Sequence, residues 1–202
     1  LKPRRVTQVD AAAFGTIVHY VMETVLPTYT VPDGLIDTLR DADAVDEDAL
    51  MARIQQDTHA AVMRYLDTDM GGEEGKTARF LYRLQLAERA ACNLLWHTVT
   101  ELRQSRFDPA EFELTILPQE REDTDGILSI RLPFDGGEVR LTGKVDRMDL
   151  FIRADGEAFV RVVDYKTGGD QFRLGELPYG LNTQMLLYLY VICDNSRRWL
   201  PA

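Results

Sequence analysis

The apolar pattern of this chain changes period near Asp108, and that switch limits the folds it can reach. Before it, apolar residues recur at helical spacing; after it, they alternate with polar ones. A 3.6-residue period gives a helix with one buried stripe, and a period of two gives a strand with one buried face. Helices followed by strands within 202 residues predict an α/β (α+β) fold. The strands are expected to form a β-meander and the helices before them a lobe.

Residues 1–9 are polar and basic and read as a connector from something upstream, since the chain starts at Leu1 without a Met. Asp10 is placed to cap a helix that runs to about Leu26, where Pro27 stops it. Val18, Val21, Met22 and Val25 form its apolar stripe, with His19 beside it and Gly15 one turn earlier. A short helix is expected near Leu35–Leu39, then long ones over Asp46–Asp67 and Lys76–Gln104, separated by the glycine-rich break after Met70.

Four strands follow: Glu111–Leu117, Ile127–Phe134, Glu138–Phe151 and Ala158–Lys166. Turns are expected at Asp123–Gly126, Asp135–Gly137 and Ala154–Gly156, and such short connections imply an antiparallel meander. On the third strand, Arg140, Thr142, Lys144 and Asp146 share a polar face suited to lining a cleft. Arg147 and Asp149 point away from it and read as a structural ion pair. After a loop holding Phe172 and Leu174, an amphipathic helix runs over Leu181–Cys193, with Asn182 at its N-cap. Gln184 and Tyr188 lie on one of its faces.

Net charge is −10, which argues against gripping nucleic acid by charge alone and predicts weak DNA binding by this region in isolation. Clustered acids can still reach phosphates through bound cations. No apolar run is long enough to span a bilayer. Cys92 and Cys193 are far apart, with neither metal-type spacing nor a disulfide framework, so a reducing cytoplasm is the simplest setting.

The strand that ends in Asp164-Tyr165-Lys166 puts a carboxylate and an ammonium on one face and Tyr165 on the other. Alone, Asp-x-Lys most often means an ion pair. Here it stands in order with His19 on a helix, Asp146 on a strand, and Gln184-x-x-x-Tyr188 on a helix. Together these pieces resemble the PD-(D/E)XK nuclease superfamily, and within it the RecB-like nucleases of the AddB type. Gly15-Thr16-Ile17-Val18-His19 is similar to that group's Gly-x-x-x-His helix. Gly143-Lys144-Val145-Asp146-Arg147 is similar to its Gly-x-(Ile/Val)-Asp-Arg strand. Asp164-Tyr165-Lys166-Thr167-Gly168 and Gln184-Met185-Leu186-Leu187-Tyr188 are similar to its Asp-Tyr-Lys-Thr-Gly and Gln-x-x-x-Tyr motifs.

The resemblance implies a restriction-endonuclease-like core, a mixed sheet with a β-meander flanked by helices, plus an inserted helical lobe. It makes 1–202 a single nuclease-domain fragment, with 27–106 a helical insertion and 107–202 plus the 10–26 helix the catalytic core. It implies Mg²⁺ or Mn²⁺ held by His19, Asp146, Asp164 and the backbone carbonyl of Tyr165; hard oxygen donors suit both ions, and an imidazole suits Mn²⁺ as well. Lys166 would orient the attacking water or help deprotonate it, and offset charge in the transition state. Gln184 and Tyr188 would steady the lysine or the DNA backbone. Glu113 is the candidate for the family's extra acidic residue and Glu111 competes with it; both share a strand face, so alternation leaves the choice open.

The resemblance further implies single-stranded DNA as substrate, a helicase–nuclease partner subunit, double-strand break repair as the setting, and no membrane association. AddB-type nucleases usually carry an iron–sulfur cluster on four cysteines, one before the first motif helix and three after the last. Neither Cys92 nor Cys193 stands at such a position, so no cluster is expected in this fragment, while the parent protein stays open. Two other readings remain: a catalytically inactive nuclease-like scaffold or DNA-binding module, and a stand-alone RecB-like exonuclease.

Overall fold

A computed structural model of the chain describes residues 9–30, 35–41, 45–118, 126–168, 173–179 and 183–200. The chain divides into two compact units, residues 1–106 and 107–202.

The first unit is helical. Helix α1 (Ala11–Val25) starts where the Asp10 carboxylate accepts from the Ala13 amide at 2.8 Å. It buries Ile17, Val18, Val21, Met22 and Val25, the expected stripe with Ile17 added. As expected, α1 ends just before Pro27, with Leu26 as its C-cap; Pro27 then opens the short α2 (Pro27–Thr30), where its missing N–H leaves no orphan donor. Helices α3 (Leu35–Asp41), α4 (Glu47–Thr68) and α5 (Ala78–Gln104) follow. Asp46 and Thr77 cap the two long ones, accepting from Ala49 and Phe80. Helix α1 packs on α4 and α5, and the unit fully buries Tyr29, Ile54, Leu66, Phe80, Leu95 and Leu102.

The second unit holds strands β1 (Asp108–Leu117), β2 (Gly126–Leu128), β3 (Arg131–Phe134), β4 (Gly137–Arg140), β5 (Gly143–Ile152) and β6 (Ala158–Val163), then helix α6 (Gln184–Asp194). The class is the expected one: helices with a mixed sheet. Four strands pair in the order β2-β1-β5-β6, with β2 parallel to β1 and the other pairs antiparallel. Strands β3 and β4 form a separate two-stranded ribbon.

The strand order inferred from connection length is corrected here. The expected strands 127–134 and 138–151 each break in two, and β5 pairs with β1 instead of its chain predecessor β4. Ser129 explains both breaks. Its amide donates to Leu117 O at 2.7 Å, closing the β2 ladder. Its hydroxyl accepts from the Leu141 amide at 2.7 Å, so that amide is withdrawn from a strand partner. Pro133 cannot donate and confines β3 to the ribbon. At Gly126 an added Cβ would lie 2.7 Å from Thr115 O, so only glycine lets β2 approach β1 there.

Strand β6 also ends three residues earlier than expected, at Val163, and α6 starts at Gln184 with Thr183 at the N-cap position. Residues 123–125 of the expected turn, Phe172 in the loop and the expected Asn182 cap lie outside the described residues. Leu114, Ile116, Ile127, Val145 and Met148 from the strands meet Val191 and Ile192 of α6 in one core, with Val160, Val162 and Tyr188 packed at its edge. Fully burying each such aliphatic side chain is worth roughly 1.5–3 kcal/mol, so α6 is held firmly enough to present Gln184 and Tyr188.

Candidate active site

Strand β5 carries Asp146 at the point where the sheet breaks its own alternation. Val145 and Met148, three residues apart, both belong to the core against α6, which a strict period of two forbids. Across the ladder, Phe112 pairs with Arg147 and Leu114 with Val145, so Glu113 lies opposite Asp146. Glu113 has φ of 53°, the left-handed region that a non-glycine residue enters only at a cost of roughly 1–2 kcal/mol. The break separates the two glutamates that alternation puts on one face. The Glu111 carboxylate accepts from Trp199 Nε1 at 2.8 Å and from Arg198 Nε at 3.3 Å. That of Glu113 pairs with Lys144 Nζ at 2.5 Å and brings an oxygen within 4.8 Å of the Asp146 carboxylate.

Residues 164–166 continue from β6 beyond its last paired residue, Val163. The Tyr165 amide donates to Asp146 Oδ2 at 2.6 Å and so fixes that carboxylate. Lys166 Nζ lies 2.7 Å from Asp164 Oδ2. Gln184 joins the two: its Nε2 donates to Asp164 Oδ1 at 3.2 Å and to Tyr188 Oη at 3.0 Å, and its Oε1 accepts from Lys166 Nζ at 3.4 Å. The hydrogen bond to Asp164 is the first cause that raises the Lys166 pKa above the ordinary lysine value; partial burial opposes it. Lys166 is therefore a cation here. Gly143 is explained by this packing too, since a Cβ there would meet the Tyr188 ring at 3.2 Å.

The sheet unit thus gathers Glu113, Asp146, Asp164, Lys166, Gln184 and Tyr188, with Tyr165 threaded between them. His19 lies half-buried on α1 of the helical unit. Two facing carboxylates, Glu113 and Asp146, fit a hard divalent cation, which takes oxygen ligands. The Asp164 carboxylate is engaged with Lys166 and Gln184 instead.

A sequence model of the PD-(D/E)XK nuclease superfamily matches residues 1–202. The chain belongs to the PD-(D/E)XK nuclease superfamily. It is 25% identical over 196 residues to a subunit of the ATP-dependent helicase/deoxyribonuclease of Clostridium acetobutylicum, covering 97% of this chain and 16% of that one. The subunit of the same name from Symbiobacterium thermophilum is 34% identical over 123 residues, 60% of this chain and 10% of its own. That from Ruminiclostridium cellulolyticum is 30% identical over 123 residues, with the same coverage. The chain therefore spans a sixth or less of the length of these relatives.

Within this PD-(D/E)XK chain, the Asp146-Arg147-Met148-Asp149 string holds a feature beyond the ion pair that its spacing announces. Arg147 forks onto Asp149, with Nε to Oδ1 at 2.7 Å and Nη2 to Oδ2 at 3.0 Å, as expected of a structural pair. Arg161 also donates to Asp149, at 2.8 Å. The remaining Arg147 nitrogen, Nη1, donates to Tyr165 Oη at 2.9 Å. Tyr165 is buried, as alternation predicts, and burial pushes its phenol up to about 12. Lys144, too, stands out in sequence only as part of a polar face; the signal that marks it is its place two residues before Asp146.

Proposed function

We propose that this chain is the nuclease domain of a helicase–nuclease and hydrolyses phosphodiester bonds of single-stranded DNA exposed by the helicase during double-strand break repair, in the cytoplasm. The observation that carries the reading is the facing pair Glu113 and Asp146, tied through the Tyr165 amide to the Asp164–Lys166–Gln184–Tyr188 cluster. The names of the relatives support the nuclease and the helicase partner. No helix among the described residues is long and apolar enough to cross a membrane.

Asp146 and Glu113 would hold Mg²⁺ or Mn²⁺, joined by His19, Asp164 and the Tyr165 carbonyl on the strength of their motifs. When bound, such a cation polarises the scissile phosphate and lowers the pKa of a water beside it. The chain's own residues do the rest. The Tyr165 amide keeps Asp146 aimed. Lys166, as a cation, orients the water and offsets charge that builds on the phosphate oxygens. Gln184 holds Lys166 and Asp164 at their stations, and Tyr188 holds Gln184. Glu113 is preferred to Glu111 because its carboxylate comes within 4.8 Å of that of Asp146, whereas Glu111 is turned to Trp199 and Arg198.

The test is cleavage of single-stranded DNA with Mg²⁺ or Mn²⁺ by the full-length chain together with its helicase partner. Asp146→Ala is expected to abolish cutting. Wild type and Asp146→Ala equally inert would overturn the reading in favour of a nuclease-like scaffold.

A further inference from the structure

We propose that Arg147 is a positioning residue for the nuclease site: through Tyr165 it fixes the backbone that presents Asp164 and Lys166 and that aims Asp146. The inference rests on the function proposed above. The last backbone pair of the β5–β6 ladder is Arg147 with Val163, so residues 164–166 lie beyond the ladder. Among the bonds described, Tyr165 fastens that segment at two points. Its amide donates to Asp146, and its hydroxyl accepts from Arg147 Nη1.

The rigidity of this anchor comes from the other arms of the same guanidinium. Asp149 is fully buried, and a buried carboxylate needs charged partners with good geometry. Arg147 gives it two parallel bonds, which fixes the plane of the guanidinium and so the direction of Nη1. Arg161 shares the carboxylate's charge. Asp149 takes two of the three guanidinium nitrogens, and the third, also buried, goes to Tyr165. With it, one side chain ties the buried face of the sheet to the two charged residues on either side of Tyr165 in the chain. Lysine in place of Arg147 keeps the charge but lacks the planar fork that grips Asp149 and aims a separate nitrogen at Tyr165.

The experiment compares Tyr165→Phe, Arg147→Lys and the double variant in the full-length chain together with its helicase partner. Tyr165→Phe keeps the ring and the backbone carbonyl and removes the hydroxyl that accepts from Arg147. It is expected to lower kcat on single-stranded DNA about tenfold with KM unchanged, because misplacement of reacting groups slows the bound complex rather than its formation. Amide exchange in the peptide covering 163–168 is expected to speed up about tenfold, more than in the other peptides of the sheet. Arg147→Lys should reproduce the exchange effect, and the double variant should be no worse in exchange than Arg147→Lys, since both remove one contact. Wild-type exchange in Tyr165→Phe overturns the proposal, as does a double variant whose exchange effect is the product of the singles. If the wild-type chain does not cleave DNA, the functional reading fails, and the exchange measurement still decides whether Arg147 fixes the segment.

Discussion

Two oppositely charged pairs in the sheet unit have the same i, i+2 spacing and opposite fates. Arg147 and Asp149 sit inside, with 4% and 0% of their side chains exposed. Lys166 and Asp164 sit at the site, with 54% and 11% exposed. In sequence the two are nearly alike: a cation and a carboxylate with one residue between them. The difference is the number of bonds that hold each ion. Asp149 is gripped by two guanidiniums and cannot change partners without leaving a buried charge bare. Asp164 is held by one ammonium and one amide near solvent, so its partners can be exchanged at little cost, which is what a site that must admit a phosphate requires.

The largest effect expected from this contrast is on catalysis. Lys166→Ala should slow DNA cleavage about 10³-fold while leaving the melting midpoint near wild type, a loss comparable to removing a charge-stabilising donor in other enzymes. A fall of less than about tenfold would move Lys166 to the side of the structural pair. Asp149→Ala should do the reverse and destabilise the fold by about 3–5 kcal/mol in urea unfolding, because the buried Arg147 guanidinium loses its carboxylate. A loss under about 1 kcal/mol would mean that the buried pair is no more committed than the open one.

A smaller effect is expected in alkaline solution. The Tyr165 phenol is raised to about 12 in the folded chain, against roughly 10 when unfolded. Above pH 10 the unfolded chain releases a proton that the folded chain keeps. The stabilisation is therefore complete below that pH and is lost through pH 12, at about 1.4 kcal/mol per unit. Tyr29 in the helical unit is raised as well, chiefly by burial, so the comparison must be with Tyr165→Phe. That variant should lose about 2–3 kcal/mol less than wild type across the window; identical pH profiles would show that Tyr165 is not sealed. Smallest of all, Asp164→Asn should shift stability by less than about 1 kcal/mol, because its partner Lys166 is half exposed to solvent, and a larger loss in the same unfolding measurement would erase the contrast.

Much of this was legible in the residues because local chemistry set it. Asp10 and Asp46 announce helix starts, the stripe from Val18 to Val25 gives a buried face, and Gln184 and Tyr188 meet because four residues make about one helical turn. The strand order was not legible. It turns on the Ser129 hydroxyl taking the Leu141 amide and on Gly126 meeting Thr115, contacts between distant positions that no local pattern announces. Nor did alternation separate Glu111 from Glu113, because the left-handed backbone at Glu113 breaks the period of two on which alternation rests. Arg147 is half of an ion pair, as its spacing to Asp149 announced, yet its third arm toward Tyr165 depends on a register that only the folded sheet defines.

Glu113 has a further consequence for anyone who would engineer this chain. Its carboxylate faces Asp146 from a backbone conformation that glycine or asparagine adopts more readily. A campaign that ranks variants by heat resistance would be drawn to this position early, gain up to about 1 kcal/mol, and silently discard half of the acidic pair.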